Sequence, residues 1–506
     1  MATESVVQRI WSKDPTVWGA SSATRELSNR LGWLEVAERV LEEHSDLEEF
    51  ADLIREQCDT VVLCGMGGSS LAPEVFWRVF GPRLGFPSLA VLDSTTPDAV
   101  RRIVDPDRSV LFVISSKSGS TVETTGFLAH FWQLSKANAS RFVAITDPGS
   151  SLHRTALGHG FRRIFEGDPD VGGRFSALSP FGLVPAALIG VDVGAIVAGA
   201  RSAMAECRGP ASMENPGAWL GAVIGEAAVA GRDKLTLLCS PSLAGFGLWV
   251  EQLVAESTGK EGKGVLPVID NGSSPLESYG QDRLFVSLGV SGDEDPVVEE
   301  RLDALVRAGH PVVRLSIPGI EDLGGEFFRW EFATAVAGAV LGVNPFDQPN
   351  VAASKAKTRE VLDAGDALPD GDLPSYDEFR KFTSGVKAGD YVAILAYVTP
   401  SEQTDRALES VARTLQERLA VAVTVGYGPR YLHSTGQFHK GGPPRGHFIL
   451  IVELPEEDLP VPGTGYSFGR LARAQAEGDA RELLGRGRPL LRVPCIEDLL
   501  SLVEQG

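Results

Sequence analysis

Between residues 114 and 124 the chain reads Ile-Ser-Ser-Lys-Ser-Gly-Ser-Thr-Val-Glu-Thr. Hydroxyls, one lysine and one glycine stand in a row, after the apolar run 110–113 and before the apolar segment 126–129. A strand that delivers hydroxyls and unpaired backbone N–H groups to a helix start makes an anion site, because the helix dipole and the free N–H groups favour negative charge. Ser116, Lys117, Ser118 and Thr121 are the candidate donors, and a phosphate or a carboxylate is the ligand they suit. The same residues also suit a plain helix cap with solvated serines. Glu123 would repel an anion held there, so it is expected to cap the helix.

A second loop, Gly65-Met66-Gly67-Gly68-Ser69-Ser70, also follows an apolar run and opens a helical pattern. Three readings of it stay open. It is a structural tight turn, a dinucleotide loop with Asp93 holding a ribose, or a glycine loop shaped for one sugar phosphate. The dinucleotide fingerprint wants a third glycine where this chain has serine. A hydroxyl-rich loop one strand further on favours the sugar phosphate, with Gly67, Gly68 and Ser69 near it.

The elements that must position these loops follow from the hydrophobic pattern. Apolar runs of strand length lie at 60–64, 88–93, 110–114 and 142–146, with a short edge candidate at 163–165 and helical segments between them. Continuous apolar runs of this length predict buried parallel strands, covered by helices on both faces, with function at their carboxyl ends. Gly172-Gly173-Arg174-Phe175-Ser176 leads into a helix-rich stretch, 178–230. A second series then places strands at 235–239, 264–268, 284–288 and 311–315, with a helix at 248–257. This suggests a duplicated architecture. Residues 363–376, acidic and rich in Pro and Gly, read as a linker. Strands at 391–397, 421–425 and 448–452 and a helix at 405–418 form a smaller C-terminal unit.

The predicted organisation is therefore an N-terminal helical arm (1–57), two α/β domains with parallel sheets (58–200 and 201–362) and a C-terminal α/β unit (377–506). With 506 residues, 43% hydrophobic and 23% charged, the chain has the make-up of an ordinary globular protein. A net charge of −20 argues against nucleic acid or an anionic membrane as partner, since both need basic faces. The five cysteines are scattered with no CxxC pair, which suits a reducing cytosol and no structural zinc. No basic segment followed by an apolar one marks the N-terminus as a signal, and no uncharged run reaches the length of a membrane span. A cytoplasmic location is expected.

Five blocks occur in one order: Gly65–Ser69, Ser116–Thr121, Val171–Ser176, Glu251–Lys260, and Asn344-Pro345-Phe346-Asp347-Gln348 continuing to Lys355. In this order they resemble the glucose-6-phosphate isomerase family. The tail, through Tyr431-Leu432-His433-Ser434-Thr435-Gly436-Gln437-Phe438-His439-Lys440, resembles the isomerase half of bifunctional transaldolase/glucose-6-phosphate isomerases. The resemblance implies two sugar-isomerase (SIS) domains, a homodimer, and interconversion of glucose 6-phosphate and fructose 6-phosphate without metal or cofactor. It implies that Glu256 carries the proton through an enediol and that Arg174, next to Gly173, stabilises the enediolate. It also implies that Lys355 assists ring opening, with Gln348 in the same block, and that Ser116, Lys117, Ser118 and Thr121 hold the phosphate.

Ring opening also needs an acid or base of suitable pKa, and histidine has one. The family's Gly-Gln-His block, which normally follows the glutamate closely, is absent there. Residues 261–300 contain no histidine, so the histidine is expected from the tail, His439 ahead of His433. The family's usual asparagine is Thr258 here. Lys260 and Lys263 read as solvated charges. Two other functions stay open: a non-catalytic sugar-phosphate-binding SIS protein, and an isomerase that also accepts mannose 6-phosphate.

Overall fold

The run 60–64 forms strand β1 (Thr60–Cys64), and all five side chains are buried. The computed structural model describes residues 3–19, 27, 29–105, 108–210, 213–293, 295–364, 373–455 and 457–505, with the side chains of all of these but 3–5, 41–44, 351–355 and 364. β1 pairs in parallel with β2 (Ser88–Leu92) on one side and with β3 (Val110–Ser115) on the other. β4 (Phe142–Thr146) and β5 (Arg163–Glu166) complete a five-stranded sheet in the order β2-β1-β3-β4-β5.

The second sheet contains β6 (Lys234–Cys239), β7 (Leu266–Ile269), β8 (Arg283–Val290) and β9 (Val312–Ile317) in the order β7-β6-β8-β9. The third contains β10 (Tyr391–Tyr397), β11 (Ala422–Tyr427), β12 (Gly446–Val452) and β13 (Leu490–Val493) in the order β11-β10-β12-β13. The α/β class with parallel sheets is as expected. The repeat is threefold rather than twofold: each sheet places its second strand outside its first and its third strand on the other side. The chain thus reverses direction between the first and third strands, where open α/β sheets leave a crevice at the carboxyl ends.

Two boundaries differ from the pattern for physical reasons. Strand β7 starts at Leu266 rather than 264, because Gly264 has φ +139°, outside the range a strand uses. β13 escapes the pattern because it has four residues, one of them an arginine. The acidic segment 363–376 falls largely on residues 365–372, outside the described residues.

One hydrophobic core joins the N-terminal arm to the first two sheets, and the third sheet has its own. In the arm, Trp18 Nε1 donates to Ala335 O at 2.9 Å, and its ring meets Phe346 edge-on at 5.0 Å. Trp33, fully buried, packs on Phe175 at 5.2 Å and Phe328 at 5.8 Å. Aromatic pairs of this kind add about 1 kcal/mol each beyond area burial. Phe175 and Phe346 flank candidate site residues, so the arm braces the site from beneath. Among the described residues, no helix is long and apolar enough to cross a membrane.

Candidate active site

β1 and β3 pair in register, with Cys64 opposite Ile114, so the loops after them leave the sheet side by side at its switch point. In the second of these loops Ser116 Oγ and Thr121 Oγ1 lie 3.1 Å apart, and Gly119 N donates to Ser116 Oγ at 3.2 Å. Ser118 and Ser120 are exposed, their hydroxyls 3.1 Å apart. Thr121 precedes the Val122–Leu134 helix without capping it through its side chain. These hydroxyls are therefore not spent as caps, which favours the anion reading. Lys117 departs from expectation. Its ammonium donates to Asp147 Oδ2 at 2.7 Å and to Asp168 O at 2.8 Å, so it ties the loop to its neighbours instead of projecting from it. Burial pulls its pKa down, against the pull of Asp147.

The glycine loop is filled by protein. A Cβ on Gly68 would lie 1.9 Å from Gly173 O, and one on Gly67 (φ +55°) would lie 2.7 Å from Gln252 Nε2 and 3.2 Å from His433 Cβ. Ser69 is buried. Asp93 is engaged by Arg430, with Nε to Oδ2 at 2.7 Å, and by Ser70 Oγ at 3.3 Å. The glycines thus admit a second loop rather than a pyrophosphate, and the acid that a ribose needs is already paired. This removes the dinucleotide reading.

That second loop carries Gly173 and Arg174. Arg174 is buried, and its guanidinium makes a fork: Nε donates to Ser257 Oγ at 2.8 Å, and Nη2 to Pro345 O at 2.6 Å and Asp347 O at 2.9 Å. Nη1 lies 3.4 Å from Glu256 Oε1. The next residue, Phe175, packs on Phe346 at 5.1 Å, which fixes the Arg174 backbone against the 344–347 loop. Lys260 is not solvated as expected: it is 3% exposed, donates to Asn344 O and to Asp347 O, the latter at 2.6 Å, and pairs with Asp347 Oδ1 at 2.7 Å. Burial, with the Arg174 charge beside it, pulls its pKa down to about 7.

Glu256 is on the Phe246–Thr258 helix, one turn after Gln252. Gln252 Nε2 donates to Glu256 Oε2 at 3.2 Å and to His433 O at 2.7 Å. This draws the turn Arg430–His433, which follows β11, onto the second sheet's helix. Arg430 anchors the same turn to the first sheet through Glu74 at 2.8 Å and through Asp93. The His433 ring is then in contact with Glu123, Nε2 to Oε1 at 3.0 Å. Glu123, expected as a cap, is 3% exposed and also accepts from Gln475 Nε2 at 2.6 Å.

The structure does not bring His439 to this cluster. It is 2% exposed, hydrogen-bonded to Tyr391 OH at 3.0 Å through Nδ1, and packed against Tyr391 and Phe448. Burial, helped by Lys440 and Arg488, pushes its pKa down to about 3, which favours the neutral ring. Of the two histidines, His433 is the one placed beside Glu123 and Gln252.

A cleft of about 510 Å³ opens at the His433–Glu123 pair, lined among others by Ser120, Glu123, His433, Arg359, Arg470 and Gln475; Arg174 and Glu256 lie behind Gln252, outside its lining. Its wall includes Thr358, Arg359 and Leu362 of the Pro349–Ala364 helix. Lys355 is on this helix, but its side chain lies outside the described ones. Gln348 is exposed just before it. Sequence reasoning read Glu123 only as a cap and gave no role to Gln252 or Gln475. Gln252 is one helical turn from Glu256 and could have been found by that spacing; Gln475 carries no local signal.

A model of the phosphoglucose isomerase family matches residues 39–276. The glucose-6-phosphate isomerase of Rubrobacter xylanophilus is 33% identical over 372 residues, spanning 61% of this chain and 84% of the relative. A hypothetical protein from Thermus thermophilus has a solved structure that superposes with a TM-score of 0.63 at 26% identity, covering 71% of this chain and 94% of its own. The solved glucose-6-phosphate isomerase of Chlamydia trachomatis gives a TM-score of 0.54 at 21% identity over 75% of this chain and 81% of its own, a likeness of fold.

Proposed function

Because the chain belongs to the glucose-6-phosphate isomerase family, we propose that its cleft interconverts glucose 6-phosphate and fructose 6-phosphate through a cis-enediol. The observation that carries this reading is the Arg174–Glu256 contact, 3.4 Å, joined through Gln252 to the His433–Glu123 pair beside the hydroxyl loop.

The 6-phosphate would sit on Ser116, Ser118 and Thr121, where the helix start adds its dipole. His433, backed by Glu123, would give a proton to the ring oxygen while the anomeric hydroxyl loses one, opening the ring. Lys355 is the family's second group for this step. Glu256 would then take the proton from C2. The electrons left behind form the C1–C2 double bond as O1 is protonated, giving the enediol. The same carboxylate returns its proton to C1 as the O2 proton leaves, which yields fructose 6-phosphate. Charge on the enediolate oxygens is what Arg174 would meet. A guanidinium held in place by Ser257, Pro345 and Asp347 needs no reorganisation when that charge develops.

A sensor that only binds sugar phosphates needs the loop, but it has no use for a buried Arg174–Glu256 pair, whose burial carries a desolvation cost. The homodimer that the family resemblance implies and a cytoplasmic site of action complete the proposal. The test is turnover of fructose 6-phosphate, read by coupled oxidation of the glucose 6-phosphate formed. Steady formation of glucose 6-phosphate is expected. Binding of both sugar phosphates with no turnover would overturn the assignment in favour of the sensor.

A further inference from the structure

Four side chains cross the cleft in alternation between the first unit and the last. Thr95, in the loop after β2, donates from Oγ1 to Gln475 Oε1 at 3.0 Å. Gln475, on the Phe468–Gly485 helix, donates from Nε2 to Glu123 Oε1 at 2.6 Å. Glu123, in the first turn of the Val122–Leu134 helix, meets His433 Nε2 through that same Oε1 at 3.0 Å. Thr95 is fully buried, and Gln475 and Glu123 are 2% and 3% exposed.

The direction of this chain is set by its chemistry. A carboxamide oxygen only accepts, so the Thr95 hydroxyl is the donor and the amide nitrogen faces Glu123. The flipped amide would put two acceptor oxygens against each other in a site with little water. The Thr95 loop is itself held, because Ser94 Oγ accepts from Thr96 N at 3.3 Å. Gln475 is thus a fixed donor to a buried carboxylate. A carboxylate that keeps such a donor stays an acceptor, and as an acceptor it requires a hydrogen on His433 Nε2. With Nε2 committed to Glu123, Nδ1 is the ring atom left to exchange a proton.

We propose that Gln475 is a positioning residue for ring opening, acting through Glu123 to hold the tautomer and orientation of His433; this rests on the role assigned to His433 above. Three further charged groups in the cleft wall, Arg359, Asp363 and Arg470, and Glu256 behind Gln252 belong to the charged surroundings of the pair. Gln475 itself already uses both ends of its amide, so its effect is expected on turnover rather than on substrate affinity.

The experiment compares Gln475→Leu, Thr95→Val and His433→Ala in the full chain. It measures kcat and KM for fructose 6-phosphate together with ¹⁵N shifts of the His433 ring, identified by their loss in His433→Ala. Gln475→Leu is expected to lower kcat about tenfold or more with KM little changed. Its His433 ring nitrogens should move from the Nε2–H pattern towards an average of the two tautomers. Thr95→Val should do the same to a smaller extent, since the amide remains but is free to turn. Wild-type kcat and an unchanged Nε2–H pattern in Gln475→Leu would overturn the proposal, as would a loss confined to KM. If Gln475→Leu fails to fold, Thr95→Val decides: wild-type turnover and tautomer there overturn it. An unimpaired His433→Ala would instead remove the role of His433 itself, whereas an impaired His433→Ala beside a wild-type-like Gln475→Leu would remove only Gln475.

Discussion

The Arg174 guanidinium and the Glu256 carboxylate face each other at 3.4 Å, with side-chain exposures of 4% and 5%. The pair joins the double-glycine loop of the first unit to the helix of the second. The other nitrogens of Arg174 are spent on Ser257 and on two carbonyls of the 344–347 loop. One arginine thus fixes three segments around the proposed proton carrier.

Arg174→Lys keeps the charge but cannot reproduce the fork. Its kcat should fall by about 100-fold or more, with a smaller change in KM. Two buried carbonyls lose a donor as well, so unfolding should cost about 1–3 kcal/mol less. Steady-state kinetics and denaturant melts check both parts. A kcat within about threefold of wild type would take Arg174 away from the developing charge.

The loop residues separate by what they already hold. Thr121→Val and Ser118→Ala remove hydroxyls proposed for the phosphate, so each should raise KM about tenfold while kcat is largely kept. Lys117→Met breaks the ties to Asp147 and Asp168 and should lower the melting temperature more than it changes KM. A KM increase for Lys117→Met larger than for Thr121→Val would reverse this division.

The two tail histidines make a sharper contrast. His433→Ala should cut turnover about 100-fold or more and, because buried Glu123 keeps Gln475 as a donor, cost less stability than His439→Ala. His439→Ala opens a hole beside Tyr391 and Phe448 and strands the Tyr391 hydroxyl, so it should cost about 2–4 kcal/mol of stability. Its turnover per folded molecule should remain. The opposite pattern, read from kcat and melts of the two variants, would return ring opening to His439.

These histidines also show what was legible in the sequence. Both lie in one short block, and spacing alone favoured the one nearer the family's Gly-Gln pair. Partners elsewhere in the chain distinguish them: Tyr391 packs against His439, and Glu123 is in contact with His433. The strands were legible because parallel strands buried on both faces read as unbroken apolar runs, as at β1 and β3. The candidate anion loop stood out because its hydroxyls are local. Gln475 was not, because its meaning lies in contacts with Thr95 and Glu123, more than 350 residues away in the chain. The third sheet's shared strand order was hidden for a similar reason: topology depends on which strands pair, and β13 is too short and polar to announce itself.

Glu251 supplies a pH-dependent prediction. It lies beside the Arg430–His433 turn, where Ser434 Oγ donates to it at 3.4 Å, and burial raises its pKa to about 7 from 4.5. The folded state therefore keeps a proton that the unfolded state has lost between these two values. Its stabilising contribution is full below about pH 4.5 and is lost as the pH rises through 7. Glu251→Gln lacks this loss. Relative to wild type, it should gain about 3 kcal/mol on going from pH 4.5 to 8, measured by urea unfolding at each pH. A stability difference that stays constant with pH would contradict the assignment.

The central claim is that Glu256 moves the proton between C1 and C2. Glu256→Gln keeps the shape of the side chain and a hydrogen-bonding group beside Arg174, but it cannot accept a proton. Incubation of fructose 6-phosphate in D₂O with wild type and with this variant, followed by NMR of both sugar phosphates, reads the step directly. The account predicts glucose 6-phosphate carrying deuterium at C2 from the wild type, and a rate lower by about 1,000-fold or more in Glu256→Gln. A variant that isomerises and exchanges within about tenfold of wild type would contradict it.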